Sequence, residues 1–331
     1  MIPDTTLRVR VAASTRNRRR ASRLNASPRP LVAYPPERIK MKIGLFTPLS
    51  AELATPELAI GIARVAEECG FDSLWVPEHA VLFDEYEPNY PYSEDGKVPG
   101  GASANILDPF PVLSFFAAHT QRIRIGTGVM ILPQRNPIYT AKEIASLDVL
   151  SAGRLDVGIG VGWLAEEMRA LGTPFERRGA RARSHIAVMK ALWCDELSAY
   201  EDEFYSLPAC RFAPKPVQKP HPPLIFGGDS QPALRRVAEI GQGWNAASRS
   251  PKEIEKLIGD LDVLLEEHAR TREEIEITVM PGRDLTVDDL KAYHDIGVDQ
   301  VVPFGLAPSA DAVRSVFEPI AEALVIPAKS M

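Results

Sequence analysis

The chain has little cysteine and no long apolar run. Its three cysteines, Cys69, Cys194 and Cys210, are widely spaced and form no CxxC pair. That argues against a disulfide framework and a thiolate metal site, and points to a reducing, cytoplasmic compartment. No apolar stretch approaches the length of a membrane span. Six histidines are present, none in HxxxH spacing, so no zinc-binding helix is written here. No GxSxG occurs, which removes the nucleophile elbow of a serine hydrolase. The first apolar segment runs into Phe46-Thr-Pro-Leu-Ser50 without a glycine-rich phosphate fingerprint. An open, doubly wound dinucleotide-binding sheet therefore loses its main support. Gly158 and Gly160 begin such a fingerprint later, but Trp163 stands where its third glycine belongs.

Acidic residues are scarce at one end only. Residues 1–40 carry nine Arg and one Lys against Asp4 and Glu37, a net +8 that leaves −14 for residues 41–331. An acidic body is poor at gathering nucleic acid, so no nucleic-acid partner is expected. The Arg-rich leader has the composition of a transit peptide or basic arm, without the apolar stretch of a secretory signal. Its plainest reading is a disordered tail, or sequence upstream of a start at Met41, where a strand begins abruptly.

From residue 42 onward, short apolar runs alternate with segments of helical period. Strands are expected near 42–48, 71–77, 122–133, 154–162, 224–228, 244–247, 275–280 and 301–305. Helices are expected near 56–69, 108–120, 137–151, 165–171, 176–195, 231–240, 251–268, 287–296 and 311–324. Eight strands, each followed by helix, predict an α/β protein of the (β/α)8 TIM-barrel class. Two long connections predict insertions after strands 2 and 4: a Pro/Gly/Tyr-rich loop at 80–108 and a hairpin with a Pro-rich exit at 196–221. The folded domain is placed at 41–325.

In such a barrel the chemistry gathers at the C-terminal ends of the strands. Those ends supply Pro48, Glu78 and His79, Gly128 and Val129, Arg135 and Asn136, Gly160, Gly162 and Trp163, then Gly227, Gly228, Asp229 and Ser230, and Trp244 with Asn245. The third strand is broken by Gly126 and Gly128, and the fourth also ends in glycines. Glycine inside a strand marks a bulge or a close approach by a ligand, so a flat ligand lying on main chain is expected here. Gly227–Ser230 runs into a helix and reads either as an anion site on backbone N–H groups or as an ordinary tight turn capped by Ser230; Asp229 weighs mildly against phosphate. His79 is the candidate proton donor or ring partner. Glu78 either orients it or is a core-facing carboxylate tied to a neighbouring strand. The other five histidines are assigned packing roles. Arg177, Arg178, Arg181 and Arg183 read either as contacts for an acidic cofactor tail or, by preference, as a solvated face paired with Glu166, Glu167 and Glu176.

Five segments then carry a family resemblance. They are Trp75-Val-Pro-Glu-His79, Ile125-Gly-Thr-Gly-Val129, Leu132-Pro-Gln-Arg-Asn-Pro137, Ser146-Leu-Asp-Val-Leu-Ser-Ala-Gly-Arg-Leu-Asp-Val-Gly-Ile-Gly-Val-Gly-Trp163 and Phe226-Gly-Gly228. Together they resemble the bacterial luciferase-like superfamily, and within it the coenzyme F420-dependent oxidoreductases of actinobacteria. The resemblance covers roughly residues 41–325, and FMN-binding relatives share most of these segments.

It implies a tricyclic ring across the barrel mouth, carried by a strand-three bulge with a cis Gly128–Val129 bond. Gly160, Gly162 and Trp163 would complete the platform, with Pro48 and Trp244 also against the cofactor. Gly227, Gly228 and Asp229 would form the phosphate turn, and His79 would sit beside the reactive ring carbon. The implied activity is hydride transfer between F420 and an apolar organic small molecule. The alternative is an FMN-dependent monooxygenase served by a separate flavin reductase. By analogy with relatives a homodimer is expected, and no metal. One departure stands out: Trp163 occupies the place of the catalytic glutamate found in the F420-dependent sugar-phosphate dehydrogenases. With Tyr86, Tyr90 and Tyr92 in the long loop, it points to a larger, more apolar substrate pocket.

Overall fold

Helix starts set the rhythm of the chain. Thr55, Asp108, Asn136 and Ser250 each stand immediately before a proline, and each side chain accepts a hydrogen bond from a backbone N–H of the first helical turn. A polar cap satisfies an orphan donor, and proline at the first position costs the helix nothing because its missing N–H has no partner there. The computed structural model describes residues 40–50, 52–101, 105–247, 249–281 and 285–331. The Arg-rich leader 1–40, Lys40 apart, lies outside the described residues.

The strands are β1 (Lys42–Phe46), β2 (Ser73–Val76), β3 (Arg124–Thr127), β4 (Met130–Ile131), β5 (Leu155–Gly160), β8 (Leu224–Gly227), β9 (Gly243–Ala247), β10 (Glu276–Met280) and β11 (Gln300–Val301); the antiparallel pair β6 (Ser198–Glu201) and β7 (Ser206–Cys210) stands apart. Parallel pairing runs β1–β2–β3–β5–β8–β9–β10–β11 and back to β1, which closes the barrel. The helices are α1 (Pro56–Cys69), α2 (Pro109–His119), α3 (Pro137–Leu150), α4 (Ala165–Ala170), α5 (Arg178–Cys194), α6 (Gln231–Ile240), α7 (Pro251–Glu267), α8 (Val287–Asp295) and α9 (Val313–Ile320). At least one helix follows each barrel strand, so the predicted (β/α)8 architecture is the observed one. The long connections lie at 77–108 and 161–223, the latter holding α4, α5 and the β6–β7 hairpin.

Three elements differ from expectation. The eighth strand, expected at 301–305, is the shorter Gln300–Val301. The helix expected at 311–324 is α-helical only to Ile320 and continues as a π-helical turn, Ala321–Val325, and a short α-helical one, Ile326–Ala328. Pro319 lies in its final turn, where it removes a backbone donor from the regular ladder. The third strand is two pieces. Gly126 pairs with Asp156, but Met130 pairs with Ile159. Four steps along one strand therefore match three along its neighbour. One residue is extra, which defines a bulge.

The barrel interior is layered. At its floor Lys42 Nζ pairs with Glu276 at 2.8 Å, and Arg124 forks onto Asp156. Above them Trp75 Nε1 donates to Ser73 Oγ, which donates to Gln300, whose amide donates to Thr278. Trp75 then lies with Ile225, Met280 and Val302 under Phe46. Gly126 explains how an indole fits: a Cβ there would stand 2.7 Å from the Trp75 ring. The sequence offered a bulge or a ligand for these glycines; the bulge is found three residues on, and Gly126 itself makes room for a side chain.

Candidate active site

The bulge residue Val129 plugs the neck of the barrel. A Cβ on Gly160 would lie 2.6 Å from Val129 Cγ2, and one on Gly227 would lie 3.0 Å from Cγ1. A Cβ on Gly158 would overlap the Thr127 carbonyl oxygen and touch Val129 as well. The glycines ending the fourth and fifth barrel strands thus form a socket for Val129. Gly128 and Val129 themselves are half-buried, and the bond between them is cis, as the resemblance implied. Gly162 takes φ +79 between Ile131 and Met168, a conformation suited to glycine.

His79 follows β2 and is held from α4. Its Nδ1 lies 2.9 Å from Glu167 Oε2, and Glu167 Oε1 also accepts the Ala80 and Val81 backbone N–H groups. Glu167 is 1% exposed. A carboxylate at Nδ1 makes that nitrogen the N–H, so Nε2 carries the lone pair. Nε2 receives the Trp163 indole N–H at a long 3.4 Å.

Glu78 turns elsewhere. It is buried, accepts the Ile131 backbone N–H and pairs with Arg135, which continues to Asp108 and Glu143. Burial pushes its carboxyl up, while Arg135 and the Ile131 N–H pull it down. Glu78 is the core-facing carboxylate tied to the neighbouring strand, and it does not orient His79. That role falls to Glu167, which the sequence had assigned to a solvated face. The adjacent pair Glu166-Glu167 hid it; the usable signal was a carboxylate on a short helix directly after a strand-end Gly-Trp.

The four arginines do not meet those glutamates either. Arg177 pairs with Glu203 and Arg183 with Glu239, while Arg181 donates to the Pro174 carbonyl. Arg178 donates to the Gly162 carbonyl at 3.0 Å and lies over the Phe175 ring.

Aromatic rings enclose the mouth. Trp163 meets His79 edge-on at 5.7 Å, Tyr86 at 5.6 Å and Tyr90 at 5.2 Å, and Tyr90 meets Tyr92 at 5.4 Å. The Tyr86 hydroxyl accepts the Val98 N–H, which folds the loop onto itself. Burial, then the nearby Asp229 carboxylate, pushes the Tyr92 phenol up to about 12. On the first strand's side Phe46 meets Phe304 at 5.1 Å, and half-buried Pro48 follows two residues after Phe46.

Gly228 adopts φ +103, and α6 begins at Gln231 with Ser230 in the capping position. The Ser230 side chain makes no capping bond, contrary to the ordinary-turn alternative. Asp229 Oδ2 accepts from Arg249 Nε at 2.7 Å, while Oδ1 is buried without a partner. Trp244 is 0% exposed and braces this turn from behind, its Nε1 donating to the Gly228 carbonyl at 3.0 Å. It therefore has no face to offer a cofactor, which corrects its predicted place. Missed by the sequence is Arg236 on α6. It is 5% exposed, its Nε has no partner, and its guanidinium comes up against Gly179 at the start of α5. Burial first, then the charge of Arg183, pushes it down to about 10. Among the described residues no cluster of His, Cys, Asp and Glu is placed to hold a metal, and no helix is long and apolar enough to cross a membrane.

The chain is similar to several known proteins. An uncharacterized Mycobacterium tuberculosis protein is 33% identical over 288 residues, covering 86% of this chain and 99% of the relative. The F420-dependent glucose-6-phosphate dehydrogenase of Microbacterium testaceum is 28% identical over 283 residues, 82% of this chain and 76% of that one. The oxygenase component of the flavin-dependent trigonelline monooxygenase of Acinetobacter baylyi is 29% identical over 206 residues, 60% of this chain and 51% of that one. The coenzyme F420-dependent tetrahydromethanopterin reductase of Methanopyrus kandleri shares the fold, with a TM-score of 0.69 at 17% identity over 87% of this chain and 99% of that one. The model of the luciferase-like monooxygenase family matches residues 41–296, and the chain belongs to that family.

Proposed function

We propose that the protein is an F420-dependent oxidoreductase acting on an apolar organic substrate, with His79 exchanging the proton that accompanies hydride transfer. The observation that carries this reading is the state of His79: a buried carboxylate fixes Nδ1, and Nε2 keeps its lone pair beside an aromatic wall. The similarity to an F420-dependent dehydrogenase supports the choice of cofactor.

The residues present fit such a cofactor. Gly128 and Val129 offer half-exposed main chain and an apolar plug on which a flat ring can rest. At the other end, the turn before α6, with its glycines and unused Ser230 hydroxyl, fits an anionic group. When bound, the deazaflavin supplies two-electron hydride chemistry. The chain supplies orientation and proton handling. His79 takes a proton at Nε2 from an alcohol undergoing oxidation, or returns it to a carbonyl undergoing reduction. Trp163, with Tyr86 and Tyr90 against it, walls one side of that nitrogen, and these rings favour an apolar substrate over a sugar phosphate.

A second reading, an FMN-dependent monooxygenase using reduced flavin from a separate reductase, is favoured by the similarity to the trigonelline oxygenase component. A side-by-side fluorescence titration with F420 and FMN separates the two. Tight F420 binding with no oxygen consumption in the presence of reduced FMN is expected. Binding of FMN alone would overturn the F420 assignment.

A further inference from the structure

We propose that Glu167 is the positioning residue that sets the tautomer of His79 and locks the ring to the start of the aromatic loop. The inference rests on the proton role given to His79. Its geometric basis stands apart from that role.

Glu167 comes from α4, on a different connection from His79. Its carboxylate spends one oxygen on His79 Nδ1 and the other on the Ala80 and Val81 N–H groups, at 2.5 and 3.3 Å. Three donors therefore converge on one carboxylate that is almost wholly shielded. A carboxylate accepts and cannot donate, so His79 must present Nδ1–H to it and Nε2 is left as the base.

Trp163 meets the other ring nitrogen. Its indole N–H points at Nε2 and suits only the unprotonated nitrogen. The two contacts together select the same tautomer, with Nε2 as the acceptor. The remaining neighbours carry little charge. Tyr86 and Tyr90 lie beyond the indole, burial pushes the Tyr90 phenol up, and Glu166 faces the Glu87 N–H and Arg169. Among the described residues, Glu167 is the charged group bonded to His79.

The substitution Glu167→Gln keeps the shape and inverts the demand. The amide oxygen still accepts the Ala80 and Val81 N–H groups, but the amide nitrogen now donates toward Nδ1. The ring must move its proton to Nε2, where it opposes the Trp163 N–H. Nitrogen-15 NMR of the histidine-labelled apoprotein reads this directly, since the chain has six histidines and His79→Asn identifies the signal. In the parent protein His79 should be Nδ1-protonated when neutral. In Glu167→Gln it should be Nε2-protonated when neutral. Should Glu167→Gln not fold, Trp163→Phe is the second test: the Nδ1–H tautomer should persist without the indole N–H. An unchanged tautomer in Glu167→Gln, or one that switches in Trp163→Phe, overturns the proposal. Failure to bind F420 would leave these spectra untouched and would count only against the cofactor assignment.

Discussion

Val129 and Gly160 fit as plug and socket: a single added carbon at 160 would stand 2.6 Å from Val129 Cγ2. Gly160→Ala is therefore expected to lower stability by about 1–3 kcal/mol through overpacking and to weaken cofactor binding by tilting Val129. Val129→Ala should recover much of both, because it empties the contested space. A double-mutant cycle in urea, with F420 titration on each variant, checks this; additive effects would show that the two side chains do not share that space.

Glu78 and His79 are neighbours in sequence with separate duties. Removing Glu78 leaves Arg135 largely buried beside Asp108 and Glu143 without its closest partner. Glu78→Ala should cost about 3 kcal/mol of stability, the scale for breaking a buried ion pair. His79→Asn should remove turnover at a smaller cost in stability, because Glu167 keeps the Ala80 and Val81 N–H groups. Urea midpoints compared with turnover numbers distinguish the two; the reverse pattern would return Glu78 to the chemistry.

His221 predicts a pH dependence of folding. Burial, then the charge of Lys190, pushes its imidazole down from 6.5 to about 4. The unfolded chain takes up this proton near pH 6.5 and the folded chain only near pH 4. The stabilising contribution is therefore complete above pH 6.5 and is lost as the pH falls toward 4. The loss amounts to about 3 kcal/mol. Unfolding free energies of the parent and His221→Asn proteins, measured from pH 7.5 to 4, should converge on the acid side by that amount.

Lys190 titrates in the same neighbourhood. Burial pushes it down from 10.5 to about 8. Its contribution is present above pH 10.5 and lost as the pH falls through 8, so at pH 7 the charged amine opposes folding. Lys190→Met should raise the Tm at pH 7, with the advantage shrinking toward pH 10.5. The His221 titration should also move up in this variant, since a positive charge has been taken from beside it.

The barrel was legible because its signals are local. Apolar runs, polar caps followed by proline, and terminal glycines each act within a few residues, and they gave the strand and helix order. The strand-end rule then gathered His79, Trp163, Val129 and the Gly227–Ser230 turn. Contacts between distant segments were not legible. Glu167 lies 88 residues from His79, and its place just after a strand-end Gly-Trp hints at the mouth without naming its partner. Glycine misled in a related way. Gly126, Gly158 and Gly160 have the composition of a backbone laid bare for a ligand, yet each makes room for a residue brought from another strand. Glycine reports that space is needed, and only the fold says who fills it. Trp244 failed for the same reason, since a strand-end position does not say on which side of the strand an indole lies.

The extra residue in the third barrel strand acts like a shift of reading frame. Side chains on a strand alternate between faces, so inserting one residue exchanges the inward and outward sets for all that follow. Upstream of Gly128 the strand's alternation serves the packed interior around Trp75. Downstream it is set anew, and Ile131 there gives its backbone N–H to Glu78. The two halves of one strand thus answer to different constraints. The barrel floor can change its packing without redirecting the residues that face the mouth, while deletion of a single residue at 128 or 129 would turn the mouth's side chains to the wrong face.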